Sequence, residues 1–239
     1  MADGTGRRGV TCAGLQSMEH TAVVLVAHGT RDERGAETVR RLARRVAESL
    51  PTQEVTLAYV DVQEPLVGEL LDDVMTRHAS VVVVPLLLSR GFHVDVDIAN
   101  AVAEHRGSRA VAPLGPDPLL AALMVEHLRA SNVAPGTHVV MAAAGSSRAV
   151  AAEDVETAAD QLATEWGGPV TVAYAAGTQP SVPDAVASAR AAGASTVAIA
   201  SYLLAEGFFH DRLSDAGADI VTPPLGDDDA VVAVILSRW

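Results

Sequence analysis

The sequence predicts an α/β protein built from two tandem domains, each a four-stranded parallel sheet flanked by helices. Three observations carry this expectation. The runs at residues 23–27 and 81–84 are continuous, apolar and valine-rich, which suits parallel strands covered on both faces. Strand and helix patterns alternate from about residue 21 to the C-terminus. The whole order then occurs a second time after Ala134-Pro135-Gly136, as tandem copies of one fold require.

In the first copy the patterns predict strands at 23–27, 55–60, from 81 and at 109–112. Helices are expected at 34–50, 65–77, 94–105 and 116–130, the second opening on Pro65, a residue favoured in a first helical turn. In the second copy Val139-Val140-Met141-Ala142-Ala143-Ala144-Gly145 echoes the first strand and its turn, and Val170-Thr171-Val172-Ala173-Tyr174 echoes Val55-Thr56-Leu57-Ala58-Tyr59. Gln179-Pro180 answers Glu64-Pro65, and the stretch from Tyr202 to His210 answers that from Leu86 to His93. The expected division is a flexible tail at 1–20, an N-terminal domain at 21–132 and a second domain at 137–239.

Composition narrows the function classes. Hydrophobic residues make up 49% but aromatics only 3%, so the core is built from Ala, Val and Leu, with few rings to stack on nucleic acid. A formal charge of −13 also disfavours phosphate-backbone binding, which needs clustered cations. Cys12 is the single cysteine, so the chain forms no internal disulfide and no Cys-rich metal site, which suits a reducing cytoplasm. Arg7-Arg8 is followed by no apolar export region, and no stretch approaches the ~18 apolar residues that cross a bilayer. Neither nucleic acid nor membrane is therefore an expected partner.

The chemistry-bearing residues gather at strand ends. His28 follows the first strand and His93 the third, and open α/β sheets bind ligands outside the carboxyl ends of their strands. Two imidazoles there suit a divalent metal or proton transfer, although a histidine after a strand also serves to bond a loop carbonyl. Glu64 belongs to the same edge, either as an acid or base or as a helix-start carboxylate favoured by the helix dipole, with Asp61 its rival. Arg31 and Arg90 each lie three residues from a histidine and have the fork geometry that binds carboxylates. The copies differ at these places. Ala144 stands for His28, Gln179 for Glu64, and Phe209 or His210 for His93, so the first copy is the expected active half and the second a degenerate partner walling one cleft.

Ala27-His28-Gly29-Thr30-Arg31, Glu64-Pro65 and Pro85-Leu86-Leu87-Leu88-Ser89-Arg90-Gly91-Phe92-His93 resemble the sirohydrochlorin chelatases, class II enzymes of sirohaem and cobalamin synthesis, in their long two-repeat form from about residue 21 onward. The resemblance implies insertion of Fe2+ or Co2+ into sirohydrochlorin, with no permanently bound cofactor and the metal as substrate. It makes His28 and His93 metal ligands, Glu64 an acid or base on the substrate side, and Leu88, Ser89, Arg90, Gly91 and Phe92 the loop against the macrocycle. The two copies within one chain make a monomer with an internal pseudo-dimer the expected state. Val96 departs from the pattern, because the family often has a basic residue just before the aspartate that Asp97 matches. A carboxylate-rich substrate meets an acidic chain, and the nearby Arg31, Arg34 and Arg90 are expected to outweigh distant acids once screening acts over a Debye length of about 8 Å.

Two other readings fit some of these residues. A histidine phosphatase also ends its first strand in His-Gly, but normally places Arg before the histidine, where this chain has Ala27. A noncatalytic metal or tetrapyrrole carrier would use the same histidines. Nucleotide binding is disfavoured by the lack of a Gly-rich phosphate loop with its Lys.

Overall fold

A computed structural model describes residues 21–91 and 93–239, with residues 93–95 described by their backbone alone. The expected tail, Cys12 and Phe92 lie outside the described residues. The first sheet holds β1 (Thr21–Ala27), β2 (Val55–Tyr59), β3 (Ser80–Pro85) and β4 (Ser108–Ala110), parallel throughout and ordered β2-β1-β3-β4. The second holds β5 (His138–Ala143), β6 (Val170–Tyr174), β7 (Val197–Tyr202) and β8 (Ile220–Val221), ordered β6-β5-β7-β8. Every residue of β1 is buried, because helices cover both faces and no alternating pattern is needed.

The helices are α1 (Glu33–Ser49), α2 (Val67–Val74), α3 (Ala99–Glu104), α4 (Pro118–Ala130), α5 (Ala149–Trp166), α6 (Val182–Ala191), α7 (Phe208–Asp211) and α8 (Asp229–Arg238). Asp32 caps α1 by accepting from Arg34 N, and Asp117 caps α4 by accepting from Leu119 N. Two expected helix starts move. Pro65 sits in a cis peptide ahead of α2, whose first residue is Val67, and Pro116 is likewise cis and precedes the Asp117 cap. The third expected helix begins as a π turn at His93–Ile98 and becomes α-helical at Ala99. Among the described residues no helix is long and apolar enough to cross a membrane.

One apolar cluster runs through both halves, joining Val23, Leu25 and Leu42 of the first to Val139, Met141 and Leu162 of the second, so the two sheets share a core. The sheet registers fix how the copies correspond. Ala27 pairs with Tyr59 as Ala143 pairs with Tyr174, and Val26 pairs with Pro85 as Ala142 pairs with Ser201. Ala144 therefore matches His28. Counting on from Ser201 without a gap, Gly207 matches Gly91, Phe208 matches Phe92 and Phe209 matches His93, with His210 one place beyond.

Polar contacts across the seam obey the same correspondence. Arg90 of the first half binds Asp154 on α5 of the second, and the matching Glu206 accepts from Thr38 on α1 of the first. A pseudo-two-fold axis thus relates the halves, as in an isologous dimer. Further along, Arg41 pairs with Asp227 at 3.0 Å and Arg34 bridges Asp32 and Asp211, both at 2.6 Å. The guanidinium partners hold the carboxyls of Asp227 and Asp32 below the usual range.

Candidate active site

In the order 2-1-3-4 the chain switches sides between β1 and β3, and ligands of open α/β sheets bind at such switch points. A cleft of about 680 Å3 opens there, between the carboxyl edges of both sheets. Its first wall comes from the β1, β2 and β3 loops, through Ala27 to Thr30, Gln63, and Leu86 to Ser89 with Gly91. Its second wall comes from the matching loops, through Ala143 to Ser147, Ala176, Gly177, and Leu203 to His210. The volume falls within the range of small-molecule pockets.

His28 stands exposed on the first wall, and its Nδ1 lies 3.3 Å from the Gly29 carbonyl oxygen. A proton on Nδ1 in that contact gives Nε2 the lone pair that a metal needs. The loop is held rigidly under it. Gly29 has φ of +96°, and a Cβ there would lie 2.1 Å from the Asp61 carbonyl oxygen. Gln63 accepts from Thr30 N at 2.9 Å, tying the β1 loop to the β2 loop.

The other expected residues are placed as follows. His93 opens the π turn after β3, on the same sheet edge as His28, and its side chain lies outside the described residues. Leu88, Ser89 and Gly91 line the cleft. Glu64 is exposed and outside the lining, where its neighbour Gln63 stands instead. Arg31 is exposed next to the wall residue Thr30. Arg34 is engaged by Asp32 and Asp211. His210 reaches the lining, with its Nε2 3.0 Å from the Thr222 carbonyl oxygen. Among the described residues no group of three or more His, Cys, Asp or Glu side chains is close enough to hold a metal.

Arg90 turns out to hold the loop. Its backbone N donates to Asp154 at 2.7 Å and its guanidinium donates to the same carboxylate at 2.6 Å, while the Asp154 side chain is only 5% exposed. Beside it, the buried Tyr202 hydroxyl donates to the Leu88 carbonyl at 3.0 Å, and burial pushes that hydroxyl's pKa up. Two groups of the second half thereby fix the loop of the first. Neither was singled out from the sequence, although Asp154 left a signal as an acid on the buried stripe of α5 that also carries Ala151, Val155 and Ala158. Arg90→Ala is expected to cost about 2–3 kcal/mol in urea unfolding, because a buried carboxylate loses its counter-charge. A loss below about 0.5 kcal/mol would make the pair an ordinary surface bridge.

These features define an α/β protein of two related halves closed on one ligand cleft. The sequence profile of the CbiX family matches residues 22–131 and again 138–239, and the chain belongs to that family. The structure of SirB from Bacillus subtilis with Fe3+ superposes with a TM-score of 0.78 at 18% identity, covering 91% of this chain and 93% of that one. The sirohydrochlorin chelatase SirB from Bacillus subtilis subspecies spizizenii in complex with cobalt gives a TM-score of 0.72 at 18% identity, with the same coverage of 91% and 93%. CbiX, described as the terminal enzyme for siroheme biosynthesis in denitrifying bacteria, gives 0.66 at 24% identity, covering 91% and 97%. At these identities the likeness is one of fold. No curated protein matches the chain.

Proposed function

We propose that this protein is a sirohydrochlorin chelatase that inserts a divalent metal, Fe2+ in preference to Co2+, to make sirohaem rather than a cobalamin precursor. The observation that carries the reading is the placement of His28 on a large cleft at the β1/β3 switch point, with His93 on the same edge. Family membership supports it, as do the fold relatives, which include SirB with Fe3+, a sirohydrochlorin chelatase in complex with cobalt and a CbiX of siroheme biosynthesis. The domain at 21–132 carries the chemistry, and the one at 137–239 supplies the facing wall, so the chain acts as a monomer with an internal pseudo-dimer in the cytoplasm.

In the reaction two pyrrole N–H protons leave as one divalent ion enters, so the site must deliver a metal and take up protons. His28 and His93 present the ion to the ring, with Leu88, Ser89 and Gly91 against the macrocycle and Phe92 following in sequence. Glu64, exposed beside the cleft, receives protons and passes them to water. Arg31 draws in a substrate carboxylate. The Arg90 guanidinium, held by Asp154, acts on the substrate by keeping this loop in place.

The test is turnover of sirohydrochlorin with Fe2+ and with Co2+, followed by the loss of the metal-free absorption spectrum. Metal-dependent turnover supports the reading, and binding of ring and metal without turnover favours a carrier. Glu64→Gln is expected to lower kcat on the order of a hundredfold while leaving Co2+ affinity unchanged. An equal loss in both would make Glu64 a ligand.

A further inference from the structure

The chain contains three phenylalanines among 3% aromatic residues, and two of them line this cleft. Phe92 directly follows the lining residue Gly91, while Phe208 and Phe209 themselves line the second wall. Phe208 is 66% exposed and Phe209 39% exposed, an unusual state for large apolar rings. Their centroids are 5.6 Å apart at an interplanar angle of 64°, an edge-to-face pair. The segment beneath them is anchored, since Leu213 is 1% exposed and His210 bonds the Thr222 carbonyl beside the second sheet.

A cation stands over this pair. The Arg212 guanidinium carbon is 5.3 Å from the Phe208 centroid, and among the described residues no carboxylate pairs with it. Two cations near the cleft, Arg34 and Arg90, are differently placed, the first spanned by two carboxylates and the second bound to Asp154. An unpaired guanidinium beside exposed rings suits a ligand that is flat, apolar over its faces and anionic at its edge.

We propose that Phe208, Phe209 and Arg212 form a platform that binds the tetrapyrrole, with the phenyl rings against the conjugated macrocycle and Arg212 on one of its carboxylates. This rests on the chelatase reading and adds a division of labour between the halves. Phe209 occupies the position of His93, and a phenyl ring cannot ligate the metal, so the second half adds a second hold on the ring while only the first presents the ion.

The test measures binding of metal-free sirohydrochlorin and, separately, of Co2+ to the full-length chain. In the Phe208→Ala, Phe209→Ala double variant the Kd for sirohydrochlorin is expected to rise about tenfold, with Co2+ affinity unchanged. Arg212→Ala should raise the same Kd by about threefold to tenfold at low salt, with an effect that shrinks as salt rises, and Arg212→Lys should recover part of it. Because the rings are exposed, far-UV circular dichroism of the variants should match the wild type. Wild-type affinity for sirohydrochlorin in the double variant, or a parallel fall in Co2+ affinity, would overturn the platform. A wild-type chain that binds Co2+ but no sirohydrochlorin overturns the chelatase reading and the platform together. Efficient metal insertion by both wild type and double variant, with equal Michaelis constants, removes the platform alone.

Discussion

His28→Ala is expected to slow Co2+ insertion into sirohydrochlorin by at least about a hundredfold, which is about 2.7 kcal/mol of barrier. The fold should be untouched. His28 is exposed on a loop beyond β1, so its truncation removes no core packing, and the thermal midpoint should stay within about 2 °C of wild type. The effect falls on chemistry because the His28 imidazole is the proposed metal ligand on the first wall, and the matching Ala144 offers no donor in its place. His93→Ala should behave alike, given its position after β3. Near-wild-type turnover in either variant removes that histidine from the metal site.

A second large effect belongs to the glycine beneath that histidine. Gly29 has φ of +96° and Gly145 has φ of +100°, and a Cβ would come within 2.1 Å of the Asp61 oxygen at the first and 2.0 Å of the Ala176 oxygen at the second. Strained φ and backbone overlap add up, so Gly29→Ala and Gly145→Ala should each cost roughly 3–5 kcal/mol, or about 10 °C in thermal midpoint. The two variants separate stability from chemistry. Turnover per folded molecule should fall much further in Gly29→Ala, because of the two loops only that one carries a proposed metal ligand, His28. Equal activity in the two at a temperature where both are folded would mean that His28 tolerates displacement.

The sequence made the architecture legible because parallel strands buried on both faces read as unbroken apolar runs, as at Val81 to Val84, and because each copy repeats the other's punctuation. The chain's change of side between β1 and β3 was not legible, since strand order leaves no mark in a local pattern; the structure supplies it. Helix starts at Pro65 and Pro116 were misplaced because proline favours both a first turn and the loop before it. The site divides in the same way. Histidines at strand ends advertise themselves, whereas Asp154 and Tyr202 act across the seam through contacts between residues far apart in sequence. For the same reason Arg90 reads from sequence as a substrate clamp, and only the fold reveals the buried carboxylate that claims it.

The central claim is that one metal-presenting site lies in the first half and is roofed by the second. Titration of the intact protein with Co2+, followed by the d–d absorption of the bound ion, tests it most directly. The account predicts a single site per chain that is present in wild type, retained in Arg212→Ala and lost in His28→Ala. Two equivalent sites, or one site that persists unchanged in His28→Ala, would contradict it.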